Sequence, residues 1–210
     1  MQIENKYLSI PPMNYIAHMD PFHQEEKNSK LNLFFLIGFM ASGKSSLGRK
    51  AAETLRIRHM EMDDEIIRVS GKSINRIFEE DGEEIFRKTE RQILEDIIST
   101  NEIGQMPLLV STGGGAPCYF DNMDLMKRKG WTIFINPSRE ILTNRLESKK
   151  EDRPLIRHKS KEEIREFVTE TMRKRIQYYS VADIFFNPLY DDEELNANFL
   201  SKIIKSNLRT

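Results

Sequence analysis

Residues 38–45, Gly38-Phe39-Met40-Ala41-Ser42-Gly43-Lys44-Ser45, constrain this chain more than any other stretch, because they satisfy G-x-x-x-x-G-K-[ST] at every fixed position. Before them stands Leu33-Phe34-Phe35-Leu36-Ile37, a continuous apolar run ending at a glycine, which predicts a strand buried on both faces. After them, Leu47, Ala51 and Leu55 recur at helical spacing over residues 45–55. Strand, glycine loop and helix in that order form a phosphate cradle. The glycines let backbone N–H groups converge on a β-phosphate, and the helix presents its positive end. Lys44 reaches β- and γ-oxygens, and the Ser45 hydroxyl ligates Mg²⁺. A plain glycine turn before a surface lysine would demand neither flanking element.

Further short apolar runs, Leu108–Val110, Trp131–Ile135 and Ile184–Phe186, read as strands. Helical patterns fill the intervals, including 84–99, with Phe86, Ile93, Leu94 and Ile97 on one side, and 163–178. Strands alternating with helices predict a three-layer α/β fold around a mostly parallel sheet. Residues 1–30 show no sustained period and contain Pro11-Pro12, so a loosely ordered extension is expected there, with one domain over 31–210. Within it, 147–161 is charged, nearly free of apolar residues and carries Pro154, which marks a mobile segment and a candidate lid.

Bulk properties narrow the function. A net charge of −1 gives no reason to expect nucleic acid or a membrane surface as partner. No apolar run approaches the roughly 20 residues that cross a bilayer. The single cysteine, Cys118, cannot form an intramolecular disulfide, and the amino terminus lacks the features of a secretory signal, so a cytoplasmic protein is expected. The absence of an N-K-x-D guanine reader and the short chain favour a small-molecule kinase over a GTPase or a motor.

The acceptor side is less determined by residues alone. Asp63 follows a short apolar edge and would lie beyond a strand's carboxyl end, where it could orient an acceptor hydroxyl and take its proton. It could equally be a helix N-terminal acid that the dipole favours. Arg87 stands at the border of a buried helical face, suited to a bidentate carboxylate contact or to a salt bridge with Glu83, Glu84 or Glu90. Gly113-Gly114-Gly115 ends a strand, where backbone amides can approach a ligand or a turn can simply flex. Phe78 and Phe86 could be core or pocket wall. Arg153 could swing onto phosphates from the charged interval or remain solvated.

From about residue 33 to 205 the sequence resembles the shikimate kinases. The resemblance rests on the phosphate loop, on Met62-Asp63-Asp64-Glu65-Ile66, on Gly71-Lys72-Ser73-Ile74 and on the stretch from Ile77 to Glu90. It continues through Ser111-Thr112-Gly113-Gly114-Gly115, Arg153-Pro154-Leu155, and Arg175 followed by Tyr179. It implies an enzyme that phosphorylates the 3-hydroxyl of shikimate with ATP and Mg²⁺, as a step of aromatic amino-acid biosynthesis, acting as a monomer. By the same resemblance Lys44, Asp63 and Arg153 are catalytic, and Gly38, Ala41, Ser42, Gly43, Lys44, Ser45, Ser46, Arg145 and Arg153 bind ATP. Asp63, Arg87, Gly113, Gly114, Gly115, Arg175, Phe78 and Phe86 would bind shikimate. Ser45 would ligate the metal, with Glu61, where the family commonly has aspartate, acting through water. Gln177 stands where the family commonly has proline, which would alter the turn beside Arg175. A gluconate-type or other small-polyol kinase, or an ATP-binding module without transfer, are the alternatives.

Overall fold

A computed structural model describes residues 30–104, 106–152, 155–188 and 192–209. Of the span 1–30, only Lys30 falls among them, and Arg153 and Pro154 lie outside.

Five strands, β1 (Leu33–Ile37), β2 (Arg58–Glu61), β3 (Leu108–Ser111), β4 (Trp131–Ile135) and β5 (Ile184–Phe186), form one parallel sheet in the order β2-β3-β1-β4-β5. The continuous apolar runs are explained by burial on both faces. Leu33, Phe35 and Ile37 enter one core cluster while Phe34 and Leu36 enter another, as a period of two requires. Helices α1 (Lys44–Leu55) and α8 (Glu193–Asn207) cover the second face through Leu47, Ala51, Leu200 and Ile204. The first is covered by α2 (Met62–Ser70), α3 (Ile74–Glu80), α4 (Gly82–Gly104) and α5 (Asn122–Lys129), joined by Tyr179 at the end of α7 (Lys161–Tyr179). The three layers expected from the sequence are present. β2 is an edge strand, and its sequence, RHME, is partly exposed. That explains why it reads so weakly among the buried runs.

The chain leaves β3 on one side of β1 and re-enters the sheet as β4 on the other. The carboxyl ends of β1 and β3 therefore open a crevice at a topological switch point. A third cluster flanks the phosphate loop. It joins Phe39 to Leu142 and Leu146 of α6 (Arg139–Ser148), to Ile164 and Val168 of α7, and to Ile156. Ile156 is fully buried, so the charged interval 147–161 is anchored by an apolar residue that its composition conceals. Helix α7 begins with a Ser160–Glu163 capping box and runs unbroken past Gln177, so glutamine in place of proline lets the helix reach Tyr179.

At the opposite end of the sheet, Lys30 Nζ lies 2.8 Å from Asp183 Oδ1 and 4.5 Å from the centre of the Trp131 ring. Asp183 Oδ2 accepts bonds from Thr132 N (2.9 Å) and Thr132 Oγ1 (2.8 Å), which ties β5 to β4. Lys30 is buried, so Lys30→Ala is expected to cost about 1–3 kcal/mol of stability. It should also shift the emission of Trp131, the sole tryptophan. Urea unfolding followed by fluorescence checks both, and an unchanged midpoint would mean that the pair contributes nothing.

Candidate active site

The phosphate loop owes its shape to its glycines. Gly38 has φ 141°, and a Cβ there would stand 2.5 Å from the Ile135 carbonyl oxygen. Gly43, with φ 102°, caps α1 without any side-chain hydrogen bond, which leaves the helix's first N–H groups to a ligand. Lys44 Nζ donates to the carbonyls of Gly38 and Phe39, both at 2.8 Å, and so points into the loop's interior. Ser42 Oγ is buried with no hydrogen-bond partner among the described residues. Ser46 Oγ donates to Gly43 O at 3.2 Å. Arg145, on α6, donates from Nη1 to Ser42 O (3.2 Å) and Ala41 O (3.4 Å), which places a guanidinium on the loop.

Ser45 Oγ donates to Glu61 Oε2 at 3.0 Å, so the extra methylene of Glu61 still lets its carboxylate meet the loop serine. Burial pushes the Glu61 carboxyl above its usual range, against the hydrogen bonds of Ser45 and Ser111. Its other oxygen, Oε1, is buried without a good hydrogen bond, facing His59 Nε2 at 3.4 Å. A carboxylate whose Oε2 meets the loop serine's hydroxyl fits Mg²⁺, which keeps several waters and takes few protein ligands. Among the described residues no group of three or more His, Cys, Asp or Glu could hold a metal by itself. The ion would thus be shared with phosphate oxygens.

The three glycines beyond β3 each lie against a different polar side chain. A Cβ on Gly113 would stand 2.9 Å from Glu90 Oε1 and 3.1 Å from Asp63 Oδ1. One on Gly114 would stand 3.2 Å from Met40 N and 3.4 Å from both Arg175 Nη1 and Gly38 O. One on Gly115 would meet Arg87 Nη1 and Nη2, both at 2.8 Å. The glycine ribbon therefore joins the phosphate loop to Asp63, Arg87 and Arg175. Gly114 O accepts from Arg175 Nη1 (3.1 Å) and from the Tyr179 hydroxyl, fixing α7 to the ribbon.

Asp63, in the first turn of α2, reaches solvent although protein crowds round it. That crowding raises its pKa, opposed by Lys44 and Arg87 and reinforced by Asp64. Arg87 is only 9% exposed and donates to Glu90 Oε2 (2.8 Å) and, from Nε (3.2 Å) and Nη2 (3.1 Å), to Glu83 Oε1. Salt bridges and placement at the ribbon thus coexist in one arginine. Phe86 is buried and Phe78 half-exposed, with ring centres 4.5 Å apart, so the pair spans core and surface.

Glu90 and Tyr119 acquire their importance only in the fold. Glu90 is buried beside Arg87, and burial raises its pKa against the pull of that guanidinium. Its spacing of three from Arg87 on one helix was the available signal. Tyr119 stacks on Arg87, with the guanidinium carbon 3.9 Å from the ring centre, and no sequence period places it there.

Comparison with known proteins agrees with this geometry. A family model described as shikimate kinase matches residues 40–206. A shikimate kinase of Parabacteroides distasonis is 39% identical over 153 residues, covering 73% of this chain and 86% of that protein. One of Azobacteroides pseudotrichonymphae is 43% identical over 152 residues, covering 72% and 87%. Among solved structures, a shikimate kinase from Bacteroides thetaiotaomicron superposes with TM-score 0.75 at 33% identity, covering 82% of this chain and 98% of that one. Another from Acinetobacter baumannii, in complex with shikimate, superposes with TM-score 0.73 at 28% identity, covering 88% and 99%. The phosphate loop from Met40 onward, the glycine ribbon, Asp63, Arg87 and Arg175 thus lie inside the stretch that one family model spans, and this chain belongs to the shikimate kinase family.

Proposed function

We propose that the protein transfers the γ-phosphoryl group of ATP to the 3-hydroxyl of shikimate, giving shikimate 3-phosphate and ADP in the route to aromatic amino acids. The observation that carries this reading is the glycine ribbon: Gly114 touches the phosphate loop while Gly113 and Gly115 touch Asp63 and Arg87. A small hydroxylated acid laid along the ribbon would have its hydroxyl beside Asp63 and the γ-phosphate, and its carboxylate within reach of guanidinium groups. Membership of the family, and the shikimate bound in the Acinetobacter baumannii relative, support the choice of acceptor.

In this reading Gly38 to Ser46 and Arg145 hold ATP, and Lys44 neutralises charge on the γ-phosphoryl group as it leaves. Asp63 orients the acceptor hydroxyl in line with phosphorus and accepts its proton. Arg175 and Arg87 hold the carboxylate end, with Phe78 and Phe86 walling the acceptor's apolar side. Ser45 and Glu61 would hold Mg²⁺, which supplies positive charge to the phosphate oxygens when bound. Arg153, in the interval proposed as a lid over 147–161, adds charge from above when that segment closes. No helix among the described residues is long and apolar enough to cross a membrane, and we read the enzyme as a cytoplasmic monomer.

ADP release by the purified protein with and without shikimate tests the assignment. Release stimulated by gluconate or another polyol instead, or by none of them, would favour a different kinase or a module without transfer. Arg87→Ala is expected to weaken shikimate binding by roughly 1.5–3 kcal/mol, the worth of a charge-assisted hydrogen bond, with ATP affinity almost unchanged. Equal weakening of both ligands, read against the variant's melting temperature, would mark Arg87 as a structural partner of Glu90.

A further inference from the structure

Arg87 has three edges on which a carboxylate could sit, and the structure accounts for each. The Nη1 side is held by Glu90 Oε2 at 2.8 Å, and Glu90 is only 1% exposed. The edge between Nη1 and Nη2 abuts Gly115, where a Cβ would stand 2.8 Å from both nitrogens. A carboxylate oxygen placed there would collide with the glycine backbone. What remains is the Nε–Nη2 edge, the geometry of a bidentate carboxylate contact. Glu83 occupies it, and Oε1 takes bonds from Arg87 Nε (3.2 Å), Arg87 Nη2 (3.1 Å) and the Tyr119 hydroxyl (2.6 Å).

We propose that Tyr119 is a further acceptor-binding residue, adding its hydroxyl to the arginines that take the acceptor's carboxylate, and that Glu83 competes for the Arg87–Tyr119 edge from within the chain. The inference rests on the acceptor reading given above, since it needs an acceptor with a carboxylate. The three partners differ in mobility. Gly115 is backbone and Glu90 is sealed in, whereas the Glu83 side chain is 53% exposed and can swing into water at little cost. Tyr119 is fixed by its stacking against the guanidinium, so its hydroxyl stays aimed at whatever carboxylate lies on that edge. The Tyr119 hydrogen bond, more than the guanidinium, holds the Glu83 carboxyl below its usual range, so the competitor is ionised at neutral pH. Glu83 thereby sets acceptor affinity without touching the acceptor.

The test is Glu83→Gln in the full chain, with shikimate as the probe. The competing charge is lost, so KM for shikimate should fall about two- to fivefold, the worth of an exposed ion pair. The change should appear in KM rather than kcat, and the carboxamide of shikimate, which has no charge to place on that edge, should gain nothing. In the Glu83→Gln background, Tyr119→Phe should raise KM for shikimate about fivefold or more, because a hydroxyl–carboxylate bond is lost with no competitor to mask it. An unchanged or higher KM in Glu83→Gln would overturn the competition and mark Glu83 as a support of Arg87. No effect of Tyr119→Phe in that background would overturn the tyrosine's role. If Arg87→Ala leaves shikimate affinity intact, the acceptor reading fails and this inference fails with it. If Arg87→Ala weakens binding and Glu83→Gln does not strengthen it, only the inference fails.

Discussion

Lys44→Ala is expected to lower kcat/KM by about 10²–10³ or more, the scale on which removing one preorganised charge donor slows a reaction that builds negative charge. The side chain lies at the start of α1 with its ammonium turned onto the Gly38 and Phe39 carbonyls, so it is held in the concavity of the loop. Phosphate oxygens entering that concavity would find the ammonium already aimed. Folding should suffer less than catalysis. The two carbonyls belong to buried residues and lose one shared donor, a cost of about 1–3 kcal/mol. Lys44→Arg should not restore the rate, since a planar fork replaces a compact point charge in a cradle whose glycines leave no slack. Steady-state rates beside melting temperatures check the split, and turnover within a few fold of the parent protein would overturn the phosphate-loop assignment.

How much of this was readable in the sequence depends on whether a residue's role is set locally. The phosphate loop, β1, β3, β4 and the long helices are local: burial on both faces forces continuous apolar runs, and the glycines answer to φ values that other residues avoid. Strand β2 showed only as a short apolar edge before Asp63, because a partly exposed strand at the sheet's edge needs no continuous run. Composition gave 147–161 as nearly apolar-free, yet Ile156 packs against Phe39 and Val168, residues distant in sequence. Arg87 shows the limit most clearly. Its helical face and its glutamate partners could be listed, but that Gly115 closes one edge and Tyr119 stacks on its plane follows only from bringing β3's loop against α4. The role proposed for Asp63 rests on family resemblance, because its local pattern fits a helix N-terminus equally well.

Asp63→Asn should decide that ambiguity. It is expected to keep ATP binding and to lower turnover by about 10²–10⁴-fold, the usual contribution of a positioned base. Asparagine still reaches an acceptor hydroxyl but cannot hold its proton or favour the oxygen that attacks phosphorus. If the transition state is loose, with little proton movement before it, the loss should fall near the lower end and appear partly in acceptor affinity. Stability supplies an independent reading with a definite sign. Crowding raises the Asp63 pKa in the folded protein above its ordinary value of 3.8, so the folded state binds the proton more readily than the unfolded chain. Stability therefore declines as pH rises from below 3.8 through the raised value, and above that window ionised Asp63 is a net cost of folding. Replacing it with neutral asparagine should hold or raise the melting temperature at pH 7, and the gain should vanish in acid, where both side chains are uncharged. A helix-terminal acid predicts the reverse, a few tenths of a kcal/mol lost at neutral pH with turnover untouched. Melting temperatures at pH 7 and in acid, set beside kcat at saturating shikimate, separate the two. A slower enzyme that is no less stable is the signature of a carboxylate kept in an unfavourable place for its chemistry, and a normal rate with a lowered melting temperature would reject the catalytic role.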